Sequence, residues 1–510
     1  MKIKIAVISD THFSSTPGIA IPSRKREFGD ILLNRAIHRI NRFIKPDITL
    51  LLGDLVDDAQ KQDLEVVKQI TDRLKCPKLV IPGNHDGNHT DFFNVFPKLP
   101  DYLDIAGYRF VPFCDEDAPD YNATRSEQDL ERMKQVRQGY NGLIITLQHV
   151  PLFPPDKHEC PYNLTNAETA LQIMKEANIQ WVIAGHYHSG FQLQDGQLFS
   201  VATPALCEKP FRFLEININD QKTEVTEHQL SMPAELQLSD LHIHSHFAYC
   251  NENMDFQKAL ELAKLFNLSR ISFTEHSSHL YFNRENCGGA YLQRGLKGTK
   301  ELISSKISEY YAEAKVFVAD KKIAHPARRG LANPRQGATG RIIFFETPNV
   351  FLGLEVDSDF NGEPVLFDED RNKFDIFLGA MHYLPPESLK DIHLAAKAFL
   401  TILGKFLDSG IQILAHPFRV FRRSRLPTPE YLFPDVVRLL KKHNVAAELN
   451  FHTNEPPLKF VEMCLEKGVK FSFGSDAHNL YEVGEFYPNL RLLQEAGYSG
   501  NFGDILYQFP

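Results

Sequence analysis

Apolar runs of three to five residues recur through the first part of the chain: Ile5–Ile8, Ile48–Leu52, Leu79–Ile81, Leu143–Leu147 and Trp181–Ala184. Runs of that length read as buried strands. Between the first two, Lys25 to Phe43 places Phe28, Ile31, Leu32, Ala36, Ile40 and Phe43 at helical spacing, as a crossover helix does. Strands alternating with such helices predict an α/β fold. From Phe191 to Gln229 the pattern changes to short alternating strands, as in FRFLEININD. QLSMPAELQL then reads as a linker, with a boundary near Ala234. A second α/β pattern follows, with runs at Ile271–Phe273, Val350–Leu354, Phe374–Leu378, Ile411–Leu414, Val445–Leu449 and Val469–Phe473. The stretch Gly288–Arg341 interrupts it, with one helix expected at about Lys300–Ala314 and a basic, Gly- and Pro-punctuated part, KKIAHPARRGLANPRQGATGR.

A chain of 510 residues with two such patterns and no repeat between them predicts two domains. Hydrophobic residues at 43% and charged residues at 24% exclude a disordered chain. Lys+Arg total 56 against 65 Asp+Glu, a net charge of −9, which argues against bulk polyanion binding. No apolar run approaches the roughly 18 to 20 residues of a membrane span, and MKIKIAVISDTHFSS lacks the features of a secretion signal. The seven cysteines are scattered and never form a C-x-x-C pair, so a reduced, cytoplasmic protein without a membrane partner is expected.

The 21 histidines carry the chemistry. Nearly every apolar run in the first half ends in a metal-ligand type: Asp10 and His12, Asp54, Asn84 and His85, His149, then His186 and His188. Strand ends of open α/β sheets are where such side chains converge. A single one of them reads equally as a strand-end cap, but five strand ends in succession do not. Carboxylate and amide oxygens mixed with imidazole suit Mn, Fe or Zn, and an Asp shared between two ions about 3.5–4 Å apart makes a phosphoryl-transfer site.

In order, the chain carries D-x-H at Asp10/His12, G-D-x-x-D at Gly53/Asp54/Asp57, G-N-H-D at Gly83/Asn84/His85/Asp86, a strand-end histidine at His149, and G-H-x-H at Gly185/His186/His188. On these motifs residues 1–230 resemble the calcineurin-like metallophosphoesterases, which implies a four-layer α/β/β/α sandwich. The resemblance implies one metal on Asp10, His12, Asp54 and His188, and a second on Asn84, His149 and His186 with Asp54 bridging. It also implies metal-activated hydroxide attack on phosphorus, with His85 stabilising the phosphoryl oxygens or protonating the leaving group and Asp86 orienting His85.

After the linker the pattern repeats with other residues: Asp240, His242 and His244 in SDLHIHS, Glu275 and His276, Glu355, His382, His416, then Asp476 and His478. These again close apolar runs, as on the catalytic face of a parallel barrel. Residues 236–510 resemble the PHP (polymerase and histidinol phosphatase) domains, distorted (β/α)7 barrels with a trinuclear metal centre. The resemblance implies that His242, His244, Glu355 and Asp476 hold one metal. Glu355 would bridge to a second on His382 and His416, and His276 and His478 would hold a third, so that two or three Mn, Zn or Fe ions are bound. The remaining first-loop ligand falls on or near Cys250, which is either a thiolate ligand or an ordinary thiol with His246 or Asn251 in its place.

Two basic groups, Lys321, Lys322, Arg328, Arg329, Arg335 and Arg341, and Arg419, Arg422, Arg423 and Arg425, read either as a solvated face or as a phosphate-binding flap. Arg419, just after the HPF strand end, is the foremost substrate-binding candidate, followed by Arg328 and Arg329. The expectation is a two-domain metal-dependent phosphoesterase hydrolysing diester or monoester bonds of a small substrate, nucleotide-like or a sugar or amino-alcohol phosphate. The alternatives are a nuclease acting on single-stranded nucleic acid, and a second domain that binds metal only as a scaffold.

Overall fold

Backbone hydrogen bonds gather the apolar runs into two separate sets of strands. In the computed structural model the described residues are 2–16, 21–219, 222–322 and 348–508. The chain divides into two compact units, Met1–Ser231 and Met232–Pro510.

The first unit contains β1 (Lys2–Ile8), β2 (Ile48–Leu52), β3 (Lys78–Ile81), β4 (Leu103–Ile105), β5 (Tyr108–Pro112), β6 (Glu116–Ala118), β7 (Asn122–Thr124), β8 (Leu143–Leu147), β9 (Trp181–Ala184), β10 (Phe191–Asp195), β11 (Leu198–Ala202), β12 (Arg212–Asn219) and β13 (Thr223–Gln229). One sheet has the order β13-β12-β1-β2-β3 and the other β10-β11-β9-β8-β5-β4, while β6 and β7 form a small ribbon. Strands β1, β2 and β3 are parallel, with Ile5 beside Ile48 and Leu52 beside Ile81. Side chains alternate across a strand, so Ile3, Ile5 and Val7 share one face. They pack with Leu50, Leu52 and Ile81 against Phe110, Ile145, Leu147 and Ile183 of the second sheet.

Helices cover the outer face of that second sheet. Val111, Ile144 and Val182 lie beneath Leu130 and Met133 of the helix Glu127–Gln135 and Ala170, Ile173 and Met174 of the helix Ala167–Glu176. The crossovers β1→β2 and β2→β3 carry the helices Gly29–Arg39 and Lys61–Thr71, which contact each other. Parallel crossovers place their helices on the sheet face left free, and the result is four α/β/β/α layers. The crossover helix expected from Lys25 to Phe43 is present, begun by a 3-10 turn at Arg26–Phe28 and ended by a π turn at Ile40–Ile44.

The second unit contains β14 (Ser239–Ile243), β15 (Arg270–His276), β16 (Asn349–Asp357), β17 (Ile376–Ala380), β18 (Ile413–Leu414), β19 (Ala446–Asn450) and β20 (Phe471–Gly474), adjacent in chain order and all parallel. The chain just past β20 returns to the first strand: Asp476 N donates to His242 O at 2.7 Å, and His244 N to Ala477 O at 3.1 Å. The sheet thereby becomes a nearly closed ring of seven strands. Leu378 pairs with Glu355, and Ala446 with Ile413, so the apolar plug formed by Ile376, Leu378, Ile413 and Ala446 shares its face with Glu355 and Glu448. The segment expected as one helix at Lys300–Ala314 is instead a 3-10 stretch, Lys297–Leu302, followed by the helix Ile307–Lys322. The Ser305 hydroxyl accepts from Ile307 N at 3.4 Å and marks the restart. Arg328, Arg329, Arg335 and Arg341 lie outside the described residues.

Two adjacent strands of the first sheet are tied by a side-chain pair, His228 Nε2 to Glu215 Oε2 at 2.9 Å. That bond, against the opposing effect of burial, draws the Glu215 carboxyl from its ordinary 4.5 down to about 2. Its stabilising contribution is therefore complete above pH 4.5 and lost as pH falls towards 2. Urea midpoints measured across that window are expected to fall less steeply with acid in Glu215→Gln than in the wild type.

Candidate metal centres

Five strand ends of the first unit supply the side chains of one cluster. His12 Nε2 lies 4.0 Å from Asp10 Oδ1 and 3.5 Å from Asp54 Oδ2. His188 Nε2 lies 3.3 Å from His12 Nε2 and 3.4 Å from Asp10 Oδ1. Around a second point, His149 Nε2 is 3.4 Å from Asp54 Oδ2, 3.2 Å from Asn84 Oδ1 and 3.1 Å from His186 Nδ1. Asp54 Oδ2 belongs to both groups, while its other oxygen accepts the His85 amide at 2.9 Å.

The outer nitrogens of three of these rings are already used, while His186 Nε2 is buried without a hydrogen-bond partner. His12 Nδ1 donates to Asp57 Oδ1 at 3.0 Å, His149 Nδ1 to Leu52 O at 2.7 Å and His188 Nδ1 to Glu208 Oε1 at 2.9 Å. Each bond turns an Nε2 lone pair inward, so acceptors face acceptors. Asp10 Oδ1, fully buried, has no hydrogen-bond partner. Converging buried acceptors of this kind fit a pair of divalent cations. In the metal-free chain protons serve instead. Burial disfavours charge on His149, but the Asp54 carboxylate outweighs it and lifts the ring to about 10. Burial likewise opposes charge on His188, which Asp10 and Glu208 lift to about 9.

The strand ends impose unusual backbone. Asp10, His12, Asp54 and His186 have φ of 55°, 45°, 50° and 65°, in the left-handed region. Gly53, at φ +88°, has no room for a side chain: a Cβ would stand 2.6 Å from His149 Nδ1. His85 remains at the rim, its ring edge-on to His12 at 4.7 Å and its Nδ1 donating to Asp57 O at 2.9 Å. Here the expected role of Asp86 is corrected. Its oxygens are taken by the amides of Gly83 at 2.8 Å, Leu55 at 2.8 Å and Val56 at 3.0 Å, so it braces two loops and the Asp57 carbonyl orients His85. Burial, then the Asp54 charge, push the Asp86 carboxyl up to about 7.

The second unit repeats the logic around Glu355. Glu355 Oε2 lies 3.6 Å from both His242 Nε2 and His244 Nε2, and Asp476 Oδ1 lies 2.9 Å from His244 Nε2 and 3.7 Å from His242 Nε2. Glu355 Oε1 faces the other way, 2.7 Å from His416 Nε2 and 3.4 Å from His382 Nε2. Three outer carboxylates aim the rings: Glu448 on His242 Nδ1 at 2.7 Å, Glu275 on His244 Nδ1 at 3.2 Å and Asp357 on His382 Nδ1 at 2.7 Å. His242 Nε2 and Glu355 Oε2 are buried without a well-aligned hydrogen bond. His416 and Asp476 again have positive φ, 29° and 53°. Asp240 faces away from this group, accepting from Ser475 N at 3.0 Å and Gly484 N at 2.8 Å.

Cys250 Sγ stands 3.0 Å from His478 Nε2 and 3.5 Å from His276 Nε2. The two substitutes considered for it are turned elsewhere: His246 Nε2 is 3.4 Å from Glu313, and Asn251 Oδ1 accepts from Met254 N at 2.7 Å. A cavity of 470 Å³ opens over this side, and Cys250, His276, His382, His478, Arg422 and Arg423 are among its lining residues. Arg419 also reaches it: Nη2 donates to Asp476 Oδ2, to Asn450 Oδ1 at 2.8 Å and to His452 O at 2.8 Å, while its buried Nε has no hydrogen-bond partner. Arg423 lies over the Tyr383 ring at 4.5 Å.

Sequence reasoning passed over Glu448, Glu208 and Cys207. Glu448 was legible as the lone acid inside an apolar run, VAAEL. Asp357, two residues after Glu355 and on the same strand face, was visible by alternation. Cys207, with ligand atoms of His12 and His188 within 4.8 Å, had no local signal.

Residues 3–190 match the family model of the calcineurin-like phosphoesterases. A protein of Arcobacter nitrofigilis named a probable glycerophosphodiester phosphodiesterase is 33% identical over 82 residues, 16% of this chain and 29% of that one. A probable cyclic nucleotide phosphodiesterase of Coxiella burnetii is 24% identical over 229 residues, 43% of this chain and 90% of that one. The solved structure of a dimetal phosphatase from Danio rerio aligns with 44% of this chain and 96% of its own at 14% identity, with a TM-score of 0.39.

Two expectations follow from the ring environments. Because His149 and His188 hold protons up to about 10 and 9, a cation entering the first centre at pH 7 must displace them. Titration calorimetry in buffers of different ionisation enthalpy is expected to show proton release, with affinity rising with pH up to that range. In the second unit, Glu448→Gln removes the carboxylate on His242 and is expected to weaken metal retention by about 10–100-fold, measured as metal content after dialysis against graded chelator.

Proposed function

We propose that this chain, whose first unit is a calcineurin-like phosphoesterase domain, is a metal-dependent phosphoric-ester hydrolase with two hydrolytic centres. In this reading the first centre cuts a phosphodiester of a small substrate. The second is a PHP-type centre on a distorted (β/α)7 barrel that removes a phosphomonoester. The observation that carries the reading is Asp54 Oδ2, common to two converging donor groups, a geometry that Glu355 repeats with its two oxygens. Divalent cations held there supply the Lewis acidity and positive charge that phosphoryl transfer requires.

The chain's own residues do the rest. Asp57 and Glu208 fix His12 and His188, so the donors are positioned before substrate arrives. His85 has its Nδ1 proton committed to the Asp57 carbonyl, which leaves Nε2 as the atom that exchanges a proton with the leaving oxygen. The relatives named for glycerophosphodiester and cyclic nucleotide hydrolysis support a small diester at the first centre. At the second, a cavity of 470 Å³ suits a substrate of nucleotide or sugar-phosphate size. Arg419, bound to Asp476, acts there by positioning that carboxylate.

The test is hydrolysis of a nitrophenyl diester, a nitrophenyl monoester, nucleotides and short single-stranded DNA by the wild type, Asp54→Asn and Glu355→Gln with Mn²⁺ present. Asp54→Asn is expected to lower diester cleavage by at least ~100-fold, equivalent to about 2.7 kcal/mol of barrier, and Glu355→Gln to abolish monoester release alone. Unchanged rates in Glu355→Gln would reduce the second unit to a metal-binding scaffold. DNA cleavage that falls steeply with salt would move the substrate to nucleic acid.

A further inference from the structure

Among the described residues of the second unit, a donor group that includes a thiol is built on Cys250, His276 and His478. His478 Nδ1 donates to the Asp476 carbonyl at 2.8 Å, so its Nε2 presents a bare lone pair. His276 Nδ1 stands 2.5 Å from Glu355 Oε2 without a well-aligned hydrogen bond, and its Nε2 faces the same side as that of His478. Both Nε2 atoms face Cys250 Sγ, at 3.0 Å for His478 and 3.5 Å for His276. A thiol has one proton and satisfies one of them. Both histidines are more than nine-tenths buried, and their two imidazole nitrogens converge on one sulfur. His279, also beside Cys250 and His276, is set apart as a ligand because its Nδ1 accepts the Tyr249 amide at 3.2 Å, which places its proton on Nε2.

We propose that Cys250 Sγ, His276 Nε2 and His478 Nε2 form a thiolate–bis-imidazole cation position that selects Zn²⁺ or another thiophilic divalent ion over Mn²⁺ and Mg²⁺. The inference rests on reading the second unit as a metal centre. With Zn–S near 2.3 Å and Zn–N near 2.05 Å at a tetrahedral angle, sulfur and nitrogen stand about 3.6 Å apart. The His276 spacing already meets that value, and His478 needs to give about half an ångström. Softness adds to geometry: thiolate and imidazole favour Zn²⁺, whereas the Asp54 and Glu355 groups, richer in carboxylate, suit harder ions. On binding, the S–H bond breaks, its proton passes to solvent, and the sulfur lone pair enters the S–metal bond. All three donors line the 470 Å³ cavity, so a fourth coordination position faces substrate, as in sites with three protein ligands and one open place.

The experiment uses the full chain stripped of metal and reloaded with Co²⁺, in a Cys207→Ser background because that thiol lies within 4.8 Å of His12 and His188 donor atoms. The expected result is a near-ultraviolet sulfur-to-cobalt charge-transfer band saturating at one equivalent. Cys250→Ser is expected to lose the band, one bound Zn²⁺ and at least ~100-fold in Zn²⁺ affinity, more than an outer-shell change costs. Cys250→Asp is expected to lose the band yet keep the metal count, with preference moved towards Mn²⁺, which shows that the site still folds. Absence of the band in the parent, or unchanged Zn²⁺ content in Cys250→Ser, overturns the proposal. Glu355→Gln separates the two levels: if it sheds metal while Cys250→Ser does not, only the thiolate position fails. If neither sheds metal, the second centre itself fails.

Discussion

Buried acceptors that face one another set the terms for both units. Asp54 and Glu355 sit out of water among imidazole nitrogens, and His12, His149, His188, His242, His244 and His382 are each turned inward by a bond on the far nitrogen. Such an array is unfavourable by itself, since a buried carboxylate and several unpaired acceptors cost several kcal/mol when nothing positive lies between them. Protons on His149 and His188 supply that charge when no metal does. The outer carboxylates follow from the same constraint. Asp57, Glu208, Glu275, Asp357 and Glu448 hold the rings in the one orientation that a cation can use.

The backbone contributes as well. Six of the converging residues, Asp10, His12, Asp54, His186, His416 and Asp476, occupy the left-handed region although none is glycine. Positions of this kind cost about 1–3 kcal/mol each and persist where the surroundings over-determine them. Parallel strands buried on both faces provide that rigidity. In the first sheet β1 and β2 are tied beyond their ends by His12 N donating to Asp54 O at 2.9 Å. In the second unit the Asp476 amide is bound to the His242 carbonyl. Two unrelated strand arrangements thus reach one solution, in which a sharp turn at a strand end points a short, rigid ligand inward.

The two centres differ in their exposure. His85 stands partly open at the rim of the first. The second is approached through a cavity whose arginines are already paired with Asp476, Thr453 and Tyr383. In the proposed reading Cys250 gives that second centre a soft donor among its carboxylates, and hence a means of holding chemically different ions within one cluster.

Much of this was legible in the linear chain. Strand positions were, because each run is buried on both faces and therefore uniformly apolar; β2, β8 and β9 begin and end where the pattern placed them. The ligand types at their ends were also legible, because metal chemistry restricts residue choice and the strand-end loop restricts spacing. Partnerships were not. Asp86 and Asp57 are both aspartates within the first motifs, and only the loop geometry gives Asp57 to His12 and Asp86 to three backbone amides. Arg419 looked free until β19 and the segment after β20 brought Asn450 and Asp476 beside it. Composition and local pattern determine which groups a strand end offers. Which lone pair faces which, and hence where a cation belongs, depends on contacts between residues far apart in the chain, 232 positions for His244 and Asp476, and those exist only once the sheets close.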